Sequence, residues 1–197
     1  ITIKKSSKVI VVSKTTQYLL RKYFNLKKEL YLGYNPPINR KFPNIENSQK
    51  DIDIILFGSN FYKNNIYAVN ACLKIRKRLK IFWINPDYSI LNLLKDSNHF
   101  ISTGNNLEDI ELFKLYSRSK LVLNFSFSEG FGWIPFEASQ FQCCSIMSNI
   151  NIFRELHPSS IHYLQPLNNV DYVSSFLEKL LFNDTLRKEI LKNIASD

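Results

Sequence analysis

The 197-residue sequence predicts an α/β fold, a mostly parallel sheet with helices on both faces. Three observations carry that expectation. Short apolar runs alternate with longer amphipathic stretches, most regularly from Ile52 onward. With 45% of its residues hydrophobic, the chain has enough apolar material for one sizeable core. No apolar run approaches the roughly 20 residues that a membrane-spanning helix requires.

The elements follow in order. Residues 9–12 read as a buried strand, and Ser13 suits the N-cap of a helix over about 14–23, since its hydroxyl can accept from an early helical amide. Residues 30–33 make a second short strand; Asn35, Pro36 and Pro37 then open a polar stretch to Asp51 that reads as loop. A strand over 54–57 is closed by Gly58. A helix is expected over 66–79, where Ala68, Val69, Cys72, Ile75 and Leu79 fall near helical spacing. Strand 81–84 and a short helix 90–94 come next, then a weak strand near Phe100 and Ile101 and a helix over about 107–116. Strand 121–123, helix 134–141 and strand 145–147 lead to two tail helices, 171–182 and 185–194. In open sheets of this kind ligands gather at the carboxyl ends of the strands, which here means 58–63, 85–86, 102–105 and 125–132.

Twenty-six Lys and Arg against seventeen Asp and Glu leave a net charge of +9, which favours an anionic partner. The basic residues are scattered, however, with no stripe interleaved with aromatics, so nucleic acid is not expected. Cys72, Cys143 and Cys144 form neither a disulfide framework nor a CxxC pair and read as packing residues. His99, His157 and His162 are not spaced as zinc ligands and read as structural or surface residues. A reducing, cytoplasmic setting and no metal are expected. The chain opens on Ile1 without a signal-peptide pattern and reads as an excised piece of something longer.

The chemistry is concentrated in residues 124–138. A strand ends near Asn124, a turn containing Gly130 and Gly132 follows, and a helix begins near Trp133. The two glycines let the backbone bend sharply and approach a ligand. The helix start presents unpaired N–H groups and partial positive charge to an anion, and Pro135 costs little in the first turn. Glu129 lies in the turn, and Glu137 can lean back toward the same opening. Phosphate suits the amides, and carboxylates suit vicinal hydroxyls. A nucleotide sugar offers both. Alone, Glu137 would read as an exposed helix carboxylate near the positive end of the dipole.

The pattern Glu129-Gly-Phe-Gly-x-x-Pro-x-Glu137-Ala resembles the signature of family 4 glycosyltransferases, retaining enzymes of the two-domain GT-B fold. Other blocks resemble the same family in the right order. These are 9–13 (last strand of the N-terminal domain), 34–36 (start of the linker), 58–64 (the glycine-to-lysine loop), 112–123 and 148–155. The resemblance implies a Rossmann-like domain, the C-terminal half of such an enzyme, over 35–197, with 1–34 a remnant of the N-terminal domain (its last strand and helix) and the linker. It implies that Glu137 holds the ribose and Glu129 the donor sugar's hydroxyls. The amides of Gly130, Phe131 and Gly132 would meet sugar or phosphate, and Lys63 would neutralise the leaving diphosphate in place of a metal. Gly58 and Ser59 would belong to the diphosphate loop, and backbone around Ile101 and Thr103 would meet the base. No cofactor is implied. The implied partners are a nucleotide sugar and the missing N-terminal domain, with scope for peripheral contact at the inner membrane face.

Two departures stand out. Ser59 occupies the place of the family's usual Arg, removing one of two phosphate-neutralising cations, and Gln142-Cys143-Cys144 replaces a Gly-x-Pro turn. The main expectation is therefore the donor-binding domain of a retaining glycosyltransferase, inactive as this fragment. The alternative is a non-catalytic nucleotide-sugar or phosphate-binding module of a degenerate homologue. A third reading is a basic surface module. Asp51-Ile52-Asp53 resembles a metal-binding DxD but precedes a strand instead of following one, and Glu155 reads as an ordinary helix residue.

Overall fold

The computed structural model describes residues 5–34, 42–45, 49–158, 162–163 and 169–194. Among these residues six parallel strands form the main sheet: β3 (Ile52–Phe57), β4 (Lys80–Ile84), β5 (Phe100–Gly104), β6 (Ser119–Asn124), β7 (Cys144–Ser148) and β8 (His162–Tyr163). Their spatial order is β5-β4-β3-β6-β7-β8, which is the doubly wound Rossmann order. The chain reverses direction across the sheet between β3 and β6, and that switch point opens a crevice at their carboxyl ends.

Side chains on successive strand positions point to opposite faces, and both faces are apolar. Ile54, Leu56, Leu121 and Leu123 join one core with α2 (Asn65–Leu73), α3 (Tyr88–Lys95), α7 (Val170–Leu181) and α8 (Asp184–Ile194). Ile55 and Val122 join the other with Phe113, Tyr116, Ala138 and Phe141 of α4 (Asp109–Arg118), α5 (Trp133–Gln140) and the turn after it. Each fully buried Ile or Leu contributes roughly 1.5–3 kcal/mol, so the two cores fix the strand register. Cys72, Cys143 and Cys144 are buried and unpaired, as packing residues should be.

The first unit stands apart from this sheet. β1 (Val9–Val11) and β2 (Leu30–Leu32) pair in parallel around α1 (Lys14–Phe24). Ser13 caps α1 as expected, its Oγ accepting from Thr16 N at 3.0 Å. Ile10, Tyr31 and Leu32 remain exposed. The expected loop from Asn35 to Asp51 lies partly outside the described residues, and 42–45 carry no regular structure.

Three differences from the sequence expectation have physical causes. α2 stops at Leu73, short of Leu79. The buried His99 ring lies where another helical turn would continue, with Nε2 3.0 Å from Cys72 O while Nδ1 accepts from Leu79 N at 3.2 Å. Burial lowers the His99 pKa from its ordinary value, in keeping with a neutral ring donating through Nε2. α6 (Asn151–Leu156) and β8 were not foreseen, being too short to show periodicity. Gln142 adopts φ 55°, supplying the left-handed turn after α5 that glycine would make without strain.

Candidate functional site

The loops after β3 and β6 meet at the switch point. After β3, Gly58 takes φ 77°. Its carbonyl accepts from Asn65 Nδ2 at 2.6 Å and Trp83 Nε1 at 3.0 Å. A Cβ on Gly58 would stand 3.4 Å from Lys63 Cγ, an ordinary contact, so it is the left-handed backbone and not the space that calls for glycine here. Ser59 is exposed beyond it. Asn65 and Trp83 were not anticipated, although burying an indole N–H, as at Trp83, favours finding it a partner.

After β6, the loop is stitched to its neighbours. Phe127 N donates to Tyr62 O at 2.8 Å, joining the two loops directly. Ser148 Oγ, at the end of β7, donates to Ser126 O at 2.5 Å. Gly132 has φ 81° and forms the N-cap of α5 without any side-chain cap. A Cβ there would lie 2.5 Å from the Phe153 ring. Gly130 differs: no left-handed φ is needed, and nothing lies within 4 Å of its Cβ direction. The sharp bend therefore belongs to Gly132 alone, a correction to the expectation for both glycines, and the space beside Gly130 is open. Phe131 is packed, its ring centroid 5.0 Å from that of Trp133.

Lys63 and Glu129 come together from the two loops. Nζ donates to Oε1 at 2.7 Å, and the side chains are 16% and 12% exposed, so solvent screens this pair only in part. The same Oε1 lies 2.6 Å from Ser126 Oγ. Oε2 has no hydrogen-bond partner among the described residues. A cavity of about 300 Å³ adjoins Glu129, bordered also by Thr15, Phe127, Ser128, Asn149 and Asn151. Asn149 Oδ1 is buried without a hydrogen-bond partner, an acceptor suited to a ligand's hydroxyl.

Glu137 is buried at 7% exposure, not the exposed helix carboxylate that it would be in isolation. Its Oε2 lies 3.4 Å from Tyr116 Oη, a long contact that places the carboxylate on the side of α5 facing α4. It does not border the cavity beside Glu129. Ile101 and Thr103 lie within edge strand β5, opposite Ile81 and Trp83 of β4, with Ile101 against the core. The structure thus gathers Gly58, Lys63, Glu129 and the 130–132 turn, sets Glu137 one helical turn deeper, and leaves Ile101 and Thr103 two strands from β3.

Other candidates have structural roles. Asp51 receives Arg118 at 2.8 and 2.6 Å, and Asp53 receives Lys120 at 2.7 Å, all at the amino end of the sheet. Among the described residues no His/Cys/Asp/Glu cluster could hold a metal ion. A larger cavity, about 730 Å³, also opens at the amino ends. Two of its cations already serve helix ends: Lys50 donates to Tyr116 O and Phe141 O, and Arg187 to Leu180 O and Leu181 O. Burial, with Arg187 nearby, lowers the Lys50 pKa despite an opposing effect from Cys143. Glu155 accepts from Lys14 N at 2.7 Å, from Thr15 N at 2.8 Å, from Thr15 Oγ1 at 2.7 Å and from Tyr34 Oη at 3.1 Å. It is no ordinary helix residue, since it fastens the first unit to α6. No helix among the described residues is long and apolar enough to cross a membrane.

No protein-family model matches this sequence, and no curated protein does. Solved structures do. The chain superposes on pneumococcal O-GlcNAc transferase GtfA, in complex with UDP and GlcNAc, with a TM-score of 0.72 at 15% identity, over 99% of this chain and 43% of GtfA. For a mutant of S. aureus TarM in complex with fondaparinux, α-GlcNAc-glycerol and UDP, the TM-score is 0.76 at 16% identity, over 98% and 41%. For WaaG, a glycosyltransferase involved in lipopolysaccharide biosynthesis, it is 0.73 at 14% identity, over 96% and 57%. The chain thus spans 43% and 41% of the length of GtfA and TarM. The likeness is one of fold, and the fold is that of GT-B glycosyltransferases.

Proposed function

We propose that this chain is the donor-binding part of a retaining glycosyltransferase, which moves a sugar from a nucleoside-diphosphate sugar to an acceptor. One observation carries the reading: a cation and a carboxylate, Lys63 and Glu129, converge at the switch point beside the uncapped start of α5. Phosphate is bound by positive potential and free amides, and sugar hydroxyls by a carboxylate.

In this reading the diphosphate lies against Lys63, Gly58, Ser59 and the amides of Gly130, Phe131 and Gly132. Glu129 meets the donor sugar, and Glu137, relieved of its long contact with Tyr116, meets the ribose. Backbone of β5 around Ile101 and Thr103 is the assigned base contact, reached only beyond β4. As the diphosphate departs, the anomeric carbon gains positive character. Lys63 and the helix start stabilise the charge growing on the leaving group, without metal or cofactor. Residues 1–34 belong to the N-terminal domain and 35–197 to the donor domain, an assignment supported by the separate β1–β2 sheet with its exposed Ile10 and Tyr31. The chain alone binds donor but does not transfer it. Its parent works in the cytoplasm, and the net charge of +9 suits peripheral contact with an anionic membrane face.

A thermal-shift screen with UDP, GDP and their sugar conjugates tests the binding claim, since a ligand bound only by the native state raises Tm. Stabilisation by one conjugate that disappears in Glu137→Ala supports the site; no stabilisation by any of them contradicts it. Ser59, exposed where a second cation is expected, favours one competing reading, a binding module without catalysis. Joining the upstream domain and determining the anomeric configuration of the product separates the two.

A further inference from the structure

Ser126 is fully buried between two oxygens. Its Oγ lies 2.8 Å from Asn124 Oδ1 and 2.6 Å from Glu129 Oε1, yet a hydroxyl carries one proton and can donate to only one of them. Beside it, Asn124 Nδ2 is buried with no hydrogen-bond partner. Half a turn of the Asn124 carboxamide settles both problems. Nδ2 then donates to Ser126 Oγ, and the Ser126 proton goes to Glu129. The amide oxygen moves to the vacated side, where an unpartnered acceptor is tolerated more readily than an unpartnered N–H. The result is a directed chain from Asn124 through Ser126 to Glu129 Oε1, where Lys63 also donates.

We propose that Asn124 and Ser126 are positioning residues for Glu129, pinning Oε1 so that Oε2 is the oxygen presented to the sugar. This assignment rests on the donor-site reading above. The chain is anchored at the strand ends, because Asn124 closes β6 and Ser148, at the end of β7, holds the Ser126 carbonyl. A carboxylate held in this way has lost its rotamer freedom before the ligand arrives, which lowers the entropic cost of binding.

Calorimetric titration of the full chain with UDP, GDP, UDP-glucose, UDP-N-acetylglucosamine and GDP-mannose tests this. Wild type is expected to bind one nucleotide sugar more tightly than the parent nucleotide. Ser126→Ala should weaken that nucleotide sugar about tenfold while leaving the parent nucleotide within about twofold. Asn124→Asp, titrated at a pH where the new carboxyl is ionised, has the same shape but only accepts, so it claims the Ser126 proton and should match Ser126→Ala. Ser126→Thr keeps the hydroxyl and should restore most of the affinity. Equal weakening of nucleotide and nucleotide sugar would mark a loop held for structural reasons only and would overturn the assignment. Wild-type affinities in both Ser126→Ala and Asn124→Asp would overturn it while leaving the donor site intact. A wild type that binds none of these ligands removes the donor site and this assignment together.

Discussion

Lys63 and Glu129, 66 positions apart in the sequence, meet at 2.7 Å where the sheet reverses direction. In the proposed reading their partnership lets one crevice serve a diphosphate and a sugar: a ligand would divide the ion pair, the cation turning to phosphate and the carboxylate to hydroxyls. Lys63→Met is expected to cost roughly 1–3 kcal/mol of stability, between the values for exposed and buried ion pairs. Lys63→Met combined with Glu129→Gln should recover part of that loss in urea unfolding, since no unpaired charge remains. In titrations, Lys63→Met should weaken UDP more than uridine.

Gly132 is required by both its backbone and its neighbour. Alanine there must hold φ near 81° and press its Cβ against Phe153. Gly132→Ala should therefore destabilise by roughly 2–4 kcal/mol, adding left-handed strain to overpacking. Adding Phe153→Leu should return the packing part and leave the backbone part. Gly130→Ala, facing open space, should leave stability unchanged and lower ligand affinity alone.

Gln142 supplies a left-handed residue after α5 that carries a Cβ for no visible benefit. Gln142→Gly is expected to stabilise by about 1 kcal/mol. For a chain of this size that corresponds to a rise in Tm of roughly 2–4 °C, readable by calorimetry.

Glu155 gives the first unit a pH dependence. Burial raises its pKa, but the Thr15 hydroxyl, the Lys14 and Thr15 amides and Tyr34 outweigh that and hold it below the ordinary 4.5. A carboxylate with a depressed folded pKa contributes stability above its unfolded value and loses it as pH falls through the folded value. Docking of α1 on α6 should therefore be constant above about pH 4.5 and weaken progressively below it. Hydrogen exchange at the Lys14 and Thr15 amides measures this directly. Glu155→Gln should accelerate exchange there even at neutral pH, leaving α2 and α7 unaffected.

Much of this molecule is legible in its sequence because its strands are buried on both faces and its helices carry apolar stripes. The strand, turn and helix around Glu129 and Glu137 are legible because Gly132 suits a left-handed N-cap between an apolar strand and a helix. The ion pair is not, since it depends on β3 and β6 being neighbours, a property of strand order that no local pattern encodes. The end of α2 at Leu73 depends on His99 arriving from another segment, and the role of Glu155 depends on α1 docking 140 residues away in the chain. The Asn124–Ser126 chain lies just ahead of the motif, but polar residues at a strand end and in a turn announce themselves only when burial leaves one amide without a partner.

Backbone NMR during titration with UDP- and GDP-sugars tests the central claim most directly, because it reports where a ligand sits as well as whether it binds. The amides of 58–63 and 127–133 are expected to shift together and saturate at one concentration, with the amino-end residues Asp51, Lys80 and Ser119 unmoved. Shifts confined to the amino ends, or none in either loop at saturating ligand, would contradict a donor site at the switch point.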